Sequence, residues 1–357
     1  MDSSGVTASE TIRIAVNGRF RVHRLTGMER YAYEITSRLK GKLREIRPEK
    51  ALKGPKGHLW EQCYLPAAAS GSLLWSPNNT GPVLTRRQVC TIHDIIPIDH
   101  PEWFSKPFAA WYRWLLPTLT RSVQHVIAVS EFTRSRVIEA FGLTPEKVSV
   151  VHNGIGPEFT PRTEEEIDQV RARLGLPPNP YVLCVGSIEP RKNLPRLLDA
   201  WRQVRQRCPD LQLVVTGLNK GGSNVFRAVN IDKIPSGVFF TGYVEDSDLP
   251  ALYSGATIFV YPSVYEGFGL PPVEAMGCGT PVVTSEGTSL SEIVGNAAVL
   301  ANPNDTDSIA DAILRLAASD SLRADLRRAG FARAQRFNWD DATTQTWRIL
   351  SREAEQS

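Results

Sequence analysis

The sequence predicts an α/β protein with two Rossmann-like domains, each built on a parallel sheet that helices cover on both faces. The chain has 357 residues, which is more than one hydrophobic core usually serves. Short apolar, β-branched runs alternate with longer amphipathic stretches, and this alternation is typical of parallel strands joined by helices. The breaker-rich segment Gly154–Pro161 interrupts the alternation. We therefore expect an N-terminal domain of residues 1–158 and a C-terminal domain of residues 159–339.

The predicted strands are apolar along their whole length, as strands buried on both faces must be. They are Ile12–Val16, Val89–Ile92, Val126–Val129, Val148–Val151, Tyr181–Val185, Leu211–Thr216, Val238–Phe240, Ile258–Tyr261 and Pro281–Thr284. The predicted helices carry an apolar stripe. They are Met28–Leu39, Phe132–Phe141, Leu194–Arg207, Asp248–Tyr253, Ile309–Ala318 and Asp340–Glu353. Ligands in such folds bind beyond the carboxyl ends of the strands, so residues that follow a strand are the site candidates.

Composition argues against several classes of protein. No apolar run approaches the roughly 20 residues that a membrane-spanning helix needs, and the start of the chain, Met1–Thr11, is polar and lacks a secretory apolar segment. The five cysteines form no CxxC pair, so we expect free buried thiols and not a zinc site or a disulfide framework. The net charge is only +3, and no nucleic-acid partner is expected. These features predict a cytoplasmic protein.

The strongest motif follows the strand Ile258–Tyr261 and runs from Tyr265 to Pro281. Its glycines let the backbone approach a ligand closely, and Pro271 suits the first position of a helix, where its missing N–H costs nothing. The amides at such a helix start point outward and bind phosphate oxygens or sugar hydroxyls. The candidate residues for this contact are Gly267, Phe268, Gly269 and Leu270.

Two glutamates accompany this helix start, Glu266 just before it and Glu274 about one turn inside it. Each carboxylate could accept hydroxyl groups from a different polyol; the alternative is that both are acids favoured by the helix dipole. Together with the glycines, the pair resembles the signature of the family 4 retaining glycosyltransferases, which have the two-domain GT-B fold. The resemblance covers nearly the whole chain. It implies that Glu266 contacts the donor sugar and that Glu274 binds the nucleotide ribose.

The same resemblance implies how the domains share the work. Donor nucleotide sugar would bind the C-terminal domain, and the acceptor would enter from the N-terminal domain across a cleft. A C-terminal helix of about residues 340–357 would pack back on the N-terminal domain.

A pair of cations follows the strand Tyr181–Val185, in the segment Gly186–Asn193. A glycine turn at Gly186 and the adjacent Arg191 and Lys192 suit a diphosphate, because arginine offers a bidentate fork and lysine a point charge. The resemblance assigns the two cations to neutralising the leaving nucleotide diphosphate, so neither a metal nor another cofactor is expected. A solvated basic helix start is the alternative.

The segment Gly242–Leu249 follows another strand, and the resemblance implies that it lines the nucleotide base near Val244 and Leu249. Its Asp-Ser-Asp sequence, residues 246–248, looks like an acidic metal motif of a different fold. We expect instead that Asp246 or Ser247 caps the following helix.

A glycine turn at Thr26–Tyr31 would face the donor diphosphate from the N-terminal domain, which makes Gly27 a further donor-site candidate. Family members often carry a second small residue here, whereas this chain has Glu29. A carboxylate at that position would repel phosphate. A simple turn without a binding role is the alternative.

Three polar residues follow strands of the N-terminal domain: His93 and Asp94 after Val89–Ile92, and Ser130 after Val126–Val129. Similar family members place a His-Asp pair where it contacts the transferred sugar and the acceptor, so His93 is a catalytic candidate and all three are acceptor-binding candidates. The alternatives are a core histidine and a serine that only caps the next helix.

The N-terminal half is more basic than the rest of the chain, notably in Arg38–Arg44 with Lys50, Lys53 and Lys56. It also holds an aromatic group, Trp103, Phe104 and Trp111–Trp114. Peripheral contact with an anionic membrane would fit a polyprenyl-linked acceptor; solvated basic faces and core packing are the alternatives.

These features predict a retaining hexosyltransferase that uses a nucleotide diphosphate sugar and a glycan or lipid-linked acceptor. The segment His93–Pro97 resembles bacterial mannosyltransferases of polysaccharide pathways, so GDP-mannose is the favoured donor, with UDP-linked and other GDP-linked sugars left open. The alternatives are a nucleotide-sugar epimerase of the GT-B fold and an inactive nucleotide-sugar-binding module.

Overall fold

Two parallel sheets of six strands each organise the part of the chain that the structure describes. The structure is a computed structural model that describes residues 13–22, 27–52, 54–217, 225–227, 229, 231 and 233–356. Thr26, Lys53 and the polar start Met1–Thr11 lie outside the described residues. The N-terminal sheet has the strand order β2-β1-β3-β4-β5-β6, and the C-terminal sheet has the order β12-β11-β10-β7-β8-β9. Every strand pair in both sheets is parallel, which confirms the predicted fold class.

The strands are short and mostly buried on both faces. Their bounds are β1 Ile14–Asn17, β2 Arg44–Ile46, β3 Leu73–Ser76, β4 Gln88–Ile92, β5 His125–Ala128, β6 Val148–Val150, β7 Tyr181–Val185, β8 Gln212–Thr216, β9 Val238–Gly242, β10 Ile258–Tyr261, β11 Val282–Ser285 and β12 Ala298–Ala301.

The helices between them cover the two faces of each sheet. Their bounds are α1 Gly27–Arg38, α2 Pro55–Leu59, α3 Leu65–Ala68, α4 Ile96–Asp99, α5 Lys106–Ser122, α6 Glu131–Phe141, α7 Glu164–Leu174, α8 Leu194–Arg207, α9 Leu249–Ser254, α10 Leu270–Gly277, α11 Ser289–Val294, α12 Thr306–Ala317, α13 Asp320–Ala334 and α14 Trp339–Glu355. A π-helical turn, Trp60–Tyr64, joins α2 to α3.

Each sheet has one point at which its strand order reverses, and this point positions ligands. Loops that leave the carboxyl ends of two neighbouring strands there run to opposite faces and open a crevice. In the C-terminal sheet the point lies between β7 and β10, and in the N-terminal sheet it lies between β1 and β3.

Three strands and several helices were absent from the sequence prediction, each for a physical reason. The strands β2 and β12 are sheet edges with partly exposed side chains, so they lack the continuous apolar run of a central strand. β3 has the sequence LLWS, without a β-branched residue. The helices α7 and α13 are rich in charged side chains, and α5 contains Pro117.

The last helix, α14, belongs to the core of the N-terminal sheet although it follows the C-terminal sheet in the chain. Asn338 begins the helix by accepting a hydrogen bond from the Asp341 amide at 2.8 Å. Trp339 and Leu350 are buried in one apolar cluster with Val16 and Trp75. The polypeptide therefore crosses between the sheets twice.

Within the described ranges, none of the helices combines the length and apolarity required to traverse a bilayer.

We predict that truncating the buried face of α14 destabilises the protein. Leu350 is fully buried, so Leu350→Ala should lower the free energy of unfolding by about 2–5 kcal/mol through lost burial and a residual cavity. Arg348 lies on the exposed face of the same helix, and Arg348→Ala should change it by less than about 0.5 kcal/mol. Urea denaturation followed by circular dichroism measures both; equal effects would contradict the packing of α14.

Candidate active site

The loop after β10 forms the centre of the candidate site and leads into α10. The helix begins at Leu270, and the residue before it, Gly269, has φ of 96°. That left-handed conformation favours glycine, and a Cβ on Gly269 would also lie 2.4 Å from the Leu290 side chain. Pro271 is the second residue of α10, so its predicted place at the first helical position was wrong by one residue.

Glu266 is buried in this loop, and three side chains contact one of its carboxylate oxygens. Its Oε1 atom lies 2.6 Å from an Arg191 guanidinium nitrogen and accepts hydrogen bonds from Lys192 Nζ at 2.7 Å and from the Tyr261 hydroxyl at 2.9 Å. Burial alone would raise the pKa of Glu266, but the two cations outweigh it and lower the pKa to about 2. Among the described residues, no donor bonds to Oε2. Glu266 is therefore ionised and keeps one oxygen for an external hydroxyl.

Arg191 and Lys192 reach Glu266 from the loop after β7, across the reversal point of the C-terminal sheet. They lie in a 3₁₀ turn, Pro190–Lys192, and Arg191 also pairs with Glu189 at 2.7 Å. Burial would lower the pKa of Arg191, but Glu266 and Glu189 together raise it; burial and the neighbouring Arg191 lower the pKa of Lys192. The Lys192 side chain passes beside Gly186: a Cβ on Gly186 would lie 3.5 Å from Cδ of Lys192.

Asn193 ties these two loops together. Its backbone has φ of 61°. Its side-chain nitrogen Nδ2 donates hydrogen bonds to the carbonyl oxygens of Pro262 at 3.1 Å and Pro303 at 2.6 Å. Sequence reasoning included Asn193 only as the end of the cation motif. It missed Tyr261 altogether, because a tyrosine at the end of a buried strand has no signal that separates it from core.

Glu274 lies in a separate, less charged environment inside α10. It accepts a hydrogen bond from the buried Tyr253 hydroxyl at 3.0 Å, and Arg30 from α1 lies 3.9 Å away. Burial raises the pKa of Glu274 to about 7, and the opposing effect of Arg30 is smaller. The two glutamates that the sequence pairs by spacing thus have pKa values shifted in opposite directions, because two cations contact Glu266 whereas burial dominates at Glu274.

The segment after β9 gives one correction. We expected Asp246 or Ser247 to cap α9, but the residue before the helix is Asp248, and it makes no side-chain cap bond. The carboxylates instead hold arginines: Asp246 pairs with Arg30 at 2.5 Å, and Asp248 pairs with Arg173 at 2.7 Å. Ion pairing across long sequence separations thus replaces the local cap.

Val244 and Leu249 both pack against the main apolar cluster of the C-terminal domain, Val244 fully buried and Leu249 partly. Any contact of Val244 with a ligand would therefore be made by its backbone.

Backbone contacts join the two domains at the same loop. A Cβ on Gly267 would lie 1.7 Å from the His93 carbonyl oxygen, so only glycine permits this approach. The buried Ser130 hydroxyl donates to the Gly267 carbonyl at 2.6 Å, and it also caps α6 by accepting from the Thr133 amide at 3.0 Å. Gly27, at the start of α1, faces Leu270 at the start of α10.

His93 is buried at the carboxyl end of β4. Its Nε2 atom lies 2.8 Å from the Pro77 carbonyl, and a carbonyl only accepts, so Nε2 carries the proton and Nδ1 has the lone pair. Burial lowers the pKa of His93 to about 4, which keeps the ring neutral near pH 7. Burial also raises the pKa of the adjacent Asp94, with Arg191 acting against it. The structure thus brings His93 and Asp94 to the same loop as Glu266.

Both halves of the chain match known families. Residues 66–159 match glycosyltransferase family 4, and residues 166–333 match glycosyl transferases group 1. The chain is 37% identical over 275 residues to the O-antigen chain mannosyltransferase B of Escherichia coli, covering 76% of this chain and 71% of that protein. It belongs to the family 4-like GT-B glycosyltransferases.

Two further comparisons are with a second mannosyltransferase and with a solved structure. The glycosyltransferase is 30% identical over 262 residues to the serotype-specific mannosyltransferase WbdA of Escherichia coli, covering 71% of this chain but only 32% of WbdA. The crystal structure of Anabaena Alr3699/HepE in complex with UDP superposes with a TM-score of 0.75 at 21% identity, covering 95% of this chain and 100% of that one. This likeness confirms the GT-B fold.

We predict opposite stability effects at the two glutamates without ligand. A carboxyl whose pKa is raised from 4.5 to about 7 destabilises the folded state increasingly as the pH rises through that window. Glu274→Gln should therefore raise the free energy of unfolding by roughly 3 kcal/mol at pH 8. This increase should shrink toward zero near pH 4.5. Glu266 has a lowered pKa, so its stabilisation is present above pH 4.5 and is lost as the pH falls toward 2.

Glu266→Gln should accordingly lower the free energy of unfolding both at pH 8 and at pH 5. Thermal denaturation of both variants at pH 8 and pH 5 measures these signs. If Glu274→Gln were destabilised at pH 8 as much as Glu266→Gln, the assigned environments would be wrong.

Proposed function

We propose that this glycosyltransferase moves mannose from GDP-mannose to a glycan or lipid-linked acceptor, retaining the configuration at the anomeric carbon and using no metal ion. The mannose assignment is supported by the names of the two mannosyltransferases above, which share 37% and 30% identity with the chain. UDP is the alternative nucleotide, because the HepE structure contains it.

The observation that carries the proposal is the three-donor cluster on Glu266 Oε1 beside the start of α10. Arg191 and Lys192 are already fixed by Glu266 and Glu189, so they need no reorganisation when a diphosphate arrives. Such preorganised charge stabilises a developing anion more than mobile charge does. The donor diphosphate would lie against the two cations, and the outward amides of Gly267–Leu270 would bind its oxygens and the sugar hydroxyls.

The leaving diphosphate drives the reaction in this scheme. As the bond from the anomeric carbon to the phosphate oxygen breaks, negative charge grows on that oxygen, and Arg191 and Lys192 neutralise it. The acceptor hydroxyl attacks from the same face and passes its proton to the departing phosphate, so configuration is retained. The free Oε2 of Glu266 holds the sugar hydroxyls in place, and neutral His93 offers Nδ1 as an acceptor.

The remaining candidate residues would contact other parts of the donor and the acceptor. Glu274 would accept the ribose hydroxyls, the backbone near Val244 and Leu249 would line the base, and Gly27 and Gly186 would leave space for the diphosphate. Asp94 and Ser130, beside the loop of Glu266, would adjoin the acceptor.

Peripheral contact with an anionic membrane is part of the proposal. The helices around the π turn and α5 meet where His58 packs on Trp111, with ring centroids 5.0 Å apart. Exposed apolar side chains flank this contact: Leu59 is 64% exposed, Tyr64 57% and Trp114 47%. With the basic side chains of this half, they form a surface suited to a lipid headgroup layer.

We predict that removing one charge of the cluster strongly lowers the rate of transfer. Glu266→Gln and Lys192→Met should each lower kcat about 10²–10³-fold, the usual loss when one preorganised charge or donor at a transition state is removed. Glu139→Gln and Lys40→Met change exposed residues of the N-terminal domain and serve as controls. Assays of product release from GDP-mannose measure the effect, and a fully active Glu266→Gln enzyme would refute its role.

We also predict the donor and the metal requirement. GDP-mannose should raise the melting temperature more than UDP-glucose or a dTDP-sugar at equal concentration, because a ligand that binds only the native state stabilises it. EDTA should leave the rate of transfer unchanged. A strict Mg²⁺ requirement would contradict neutralisation by Arg191 and Lys192. Release of free nucleotide without any acceptor product would favour the epimerase alternative.

A further inference from the structure

Tyr265 lies directly before Glu266 in the loop after β10, and it is buried. Consecutive residues of this loop contact different domains. Glu266 contacts the cations of the C-terminal domain, whereas the Gly267 carbonyl accepts a hydrogen bond from Ser130 of the N-terminal domain at 2.6 Å. Tyr265 also reaches the N-terminal domain, where its hydroxyl donates to Oδ2 of Asp99 at 2.8 Å. Contacts with the other domain therefore flank Glu266 on both sides.

Asp99, which accepts the hydrogen bond from Tyr265, is itself held in place. Arg136 from α6 donates to both carboxylate oxygens of Asp99, from Nη2 to Oδ1 at 2.7 Å and from Nε to Oδ2 at 3.1 Å. Such a bidentate pair fixes the orientation of a carboxylate in addition to neutralising its charge. Tyr265, Asp99 and Arg136 thus form one hydrogen-bonded chain across the domain boundary, which we call the Tyr265 network.

Both donors of this network keep their protons near pH 7. The hydrogen bond to Asp99 raises the pKa of Arg136. Burial, and after it the negative charge of Asp99, raises the pKa of the Tyr265 hydroxyl. The guanidinium therefore stays charged, and the hydroxyl stays a donor.

The hydroxyl of Tyr265 has a role that packing of its ring does not explain. The ring lies edge-on to Phe132, with ring centroids 5.3 Å apart. The other aromatic members of this apolar cluster are phenylalanines and Trp103, so a phenylalanine ring would suit the position. A buried ring contributes through its apolar area. The hydroxyl therefore adds direction to the contact between the domains.

The short helix α4 connects the network to the candidate catalytic residues. It spans Ile96–Asp99, and its first amide accepts Asp94 as a partner, donating to Oδ1 at 3.1 Å. His93 and Asp94 come just before this helix, and its last residue contacts Tyr265. A displacement of Asp99 would therefore reach the His-Asp pair through about one helical turn.

We propose that the Tyr265 network is a positioning device that fixes His93 and Asp94 relative to Glu266, so that acceptor and donor sugar meet in the geometry needed for transfer. The inference rests on the proposed transfer reaction. The three residues of the network act through others and contact neither substrate. Alignment of two reactants contributes to the rate of transfer, whereas donor affinity depends on the cations of the C-terminal domain, which lie outside the network.

The test begins with Tyr265→Phe, which removes one hydroxyl and keeps the ring. With methyl α-mannoside as the acceptor probe, it should lower kcat for transfer from GDP-mannose about 10-fold, because a misplacement of about 1 Å costs up to about 100-fold. The Kd of GDP-mannose and its slow hydrolysis without acceptor should both stay within about 2-fold of wild type, since the donor cluster is intact. Local unfolding would instead weaken donor binding and hydrolysis together with transfer. Tyr33→Phe changes a half-exposed tyrosine of α1 and should alter none of these quantities.

A double-mutant cycle with Asp99→Ala separates the outcomes. Because Tyr265 acts through Asp99, the double variant should transfer no more slowly than Asp99→Ala alone. Unchanged kcat in Tyr265→Phe, an equal fall in transfer and hydrolysis, or multiplied effects in the double variant would each overturn the proposal. Should Asp99→Ala not fold, Tyr265→Phe retains the test.

Failure of the proposed function gives a different result. Wild type would then transfer no sugar from GDP-mannose, and the melting temperatures of the same variants would still judge the network. Shifts that merely add would exclude it, whereas a double variant no less stable than Asp99→Ala would support it.

Discussion

The buried ion cluster of Glu266 with Arg191 and Lys192 is the interaction on which the rest of the site depends. Removing charges from water costs several kcal/mol for each ion unless close partners compensate, and here the partners come from loops after two different strands, β7 and β10. The cluster therefore holds both loops at the reversal point of the C-terminal sheet. It also leaves Glu266 Oε2 without a donor among the described residues, so the carboxylate that ties the two loops has one oxygen still able to accept a hydrogen bond.

A second constraint is the contact between domains at Gly267. His93, Ser130 and Gly27 all reach the loop or the helix that follows Glu266, so the N-terminal domain meets the C-terminal domain where the chemistry is proposed. The last helix, α14, reinforces this arrangement because it is packed into the N-terminal core. The contacts between the two domains therefore lie at the same loop as Glu266.

The sequence allowed the central strands to be predicted, and with them the positions of the motif residues that follow β7 and β10, because both depend on local pattern. Tyr181–Val185 and Ile258–Tyr261 agree with the structure to the residue. Prediction failed where long-range partners decide the outcome: Asp246 and Asp248 bind arginines and not helix amides. The hydrogen bonds and ion pair of the buried Glu61 could not be predicted either, because its partners Asn17, Arg19 and Thr80 come from separate segments whose meeting depends on the order of strands. The paired glutamates were recognised, but their different acidity follows from burial and partners that spacing does not encode.

The π turn at Trp60–Tyr64 has a consequence for how this part of the chain tolerates a change of length. Its wider winding, with the Leu65 amide bonded to the Trp60 carbonyl, accommodates one residue more than an α-helical turn. Deleting a single residue there would restore regular winding and leave the segments before and after it in nearly the same relative orientation, because the π turn holds its extra residue within one turn. Glu61 lies inside the turn, so its ion pair with Arg19 is the contact that such a deletion would disturb. A change of length at this one turn would thus have a local effect, and the segments on either side of it would keep their packing.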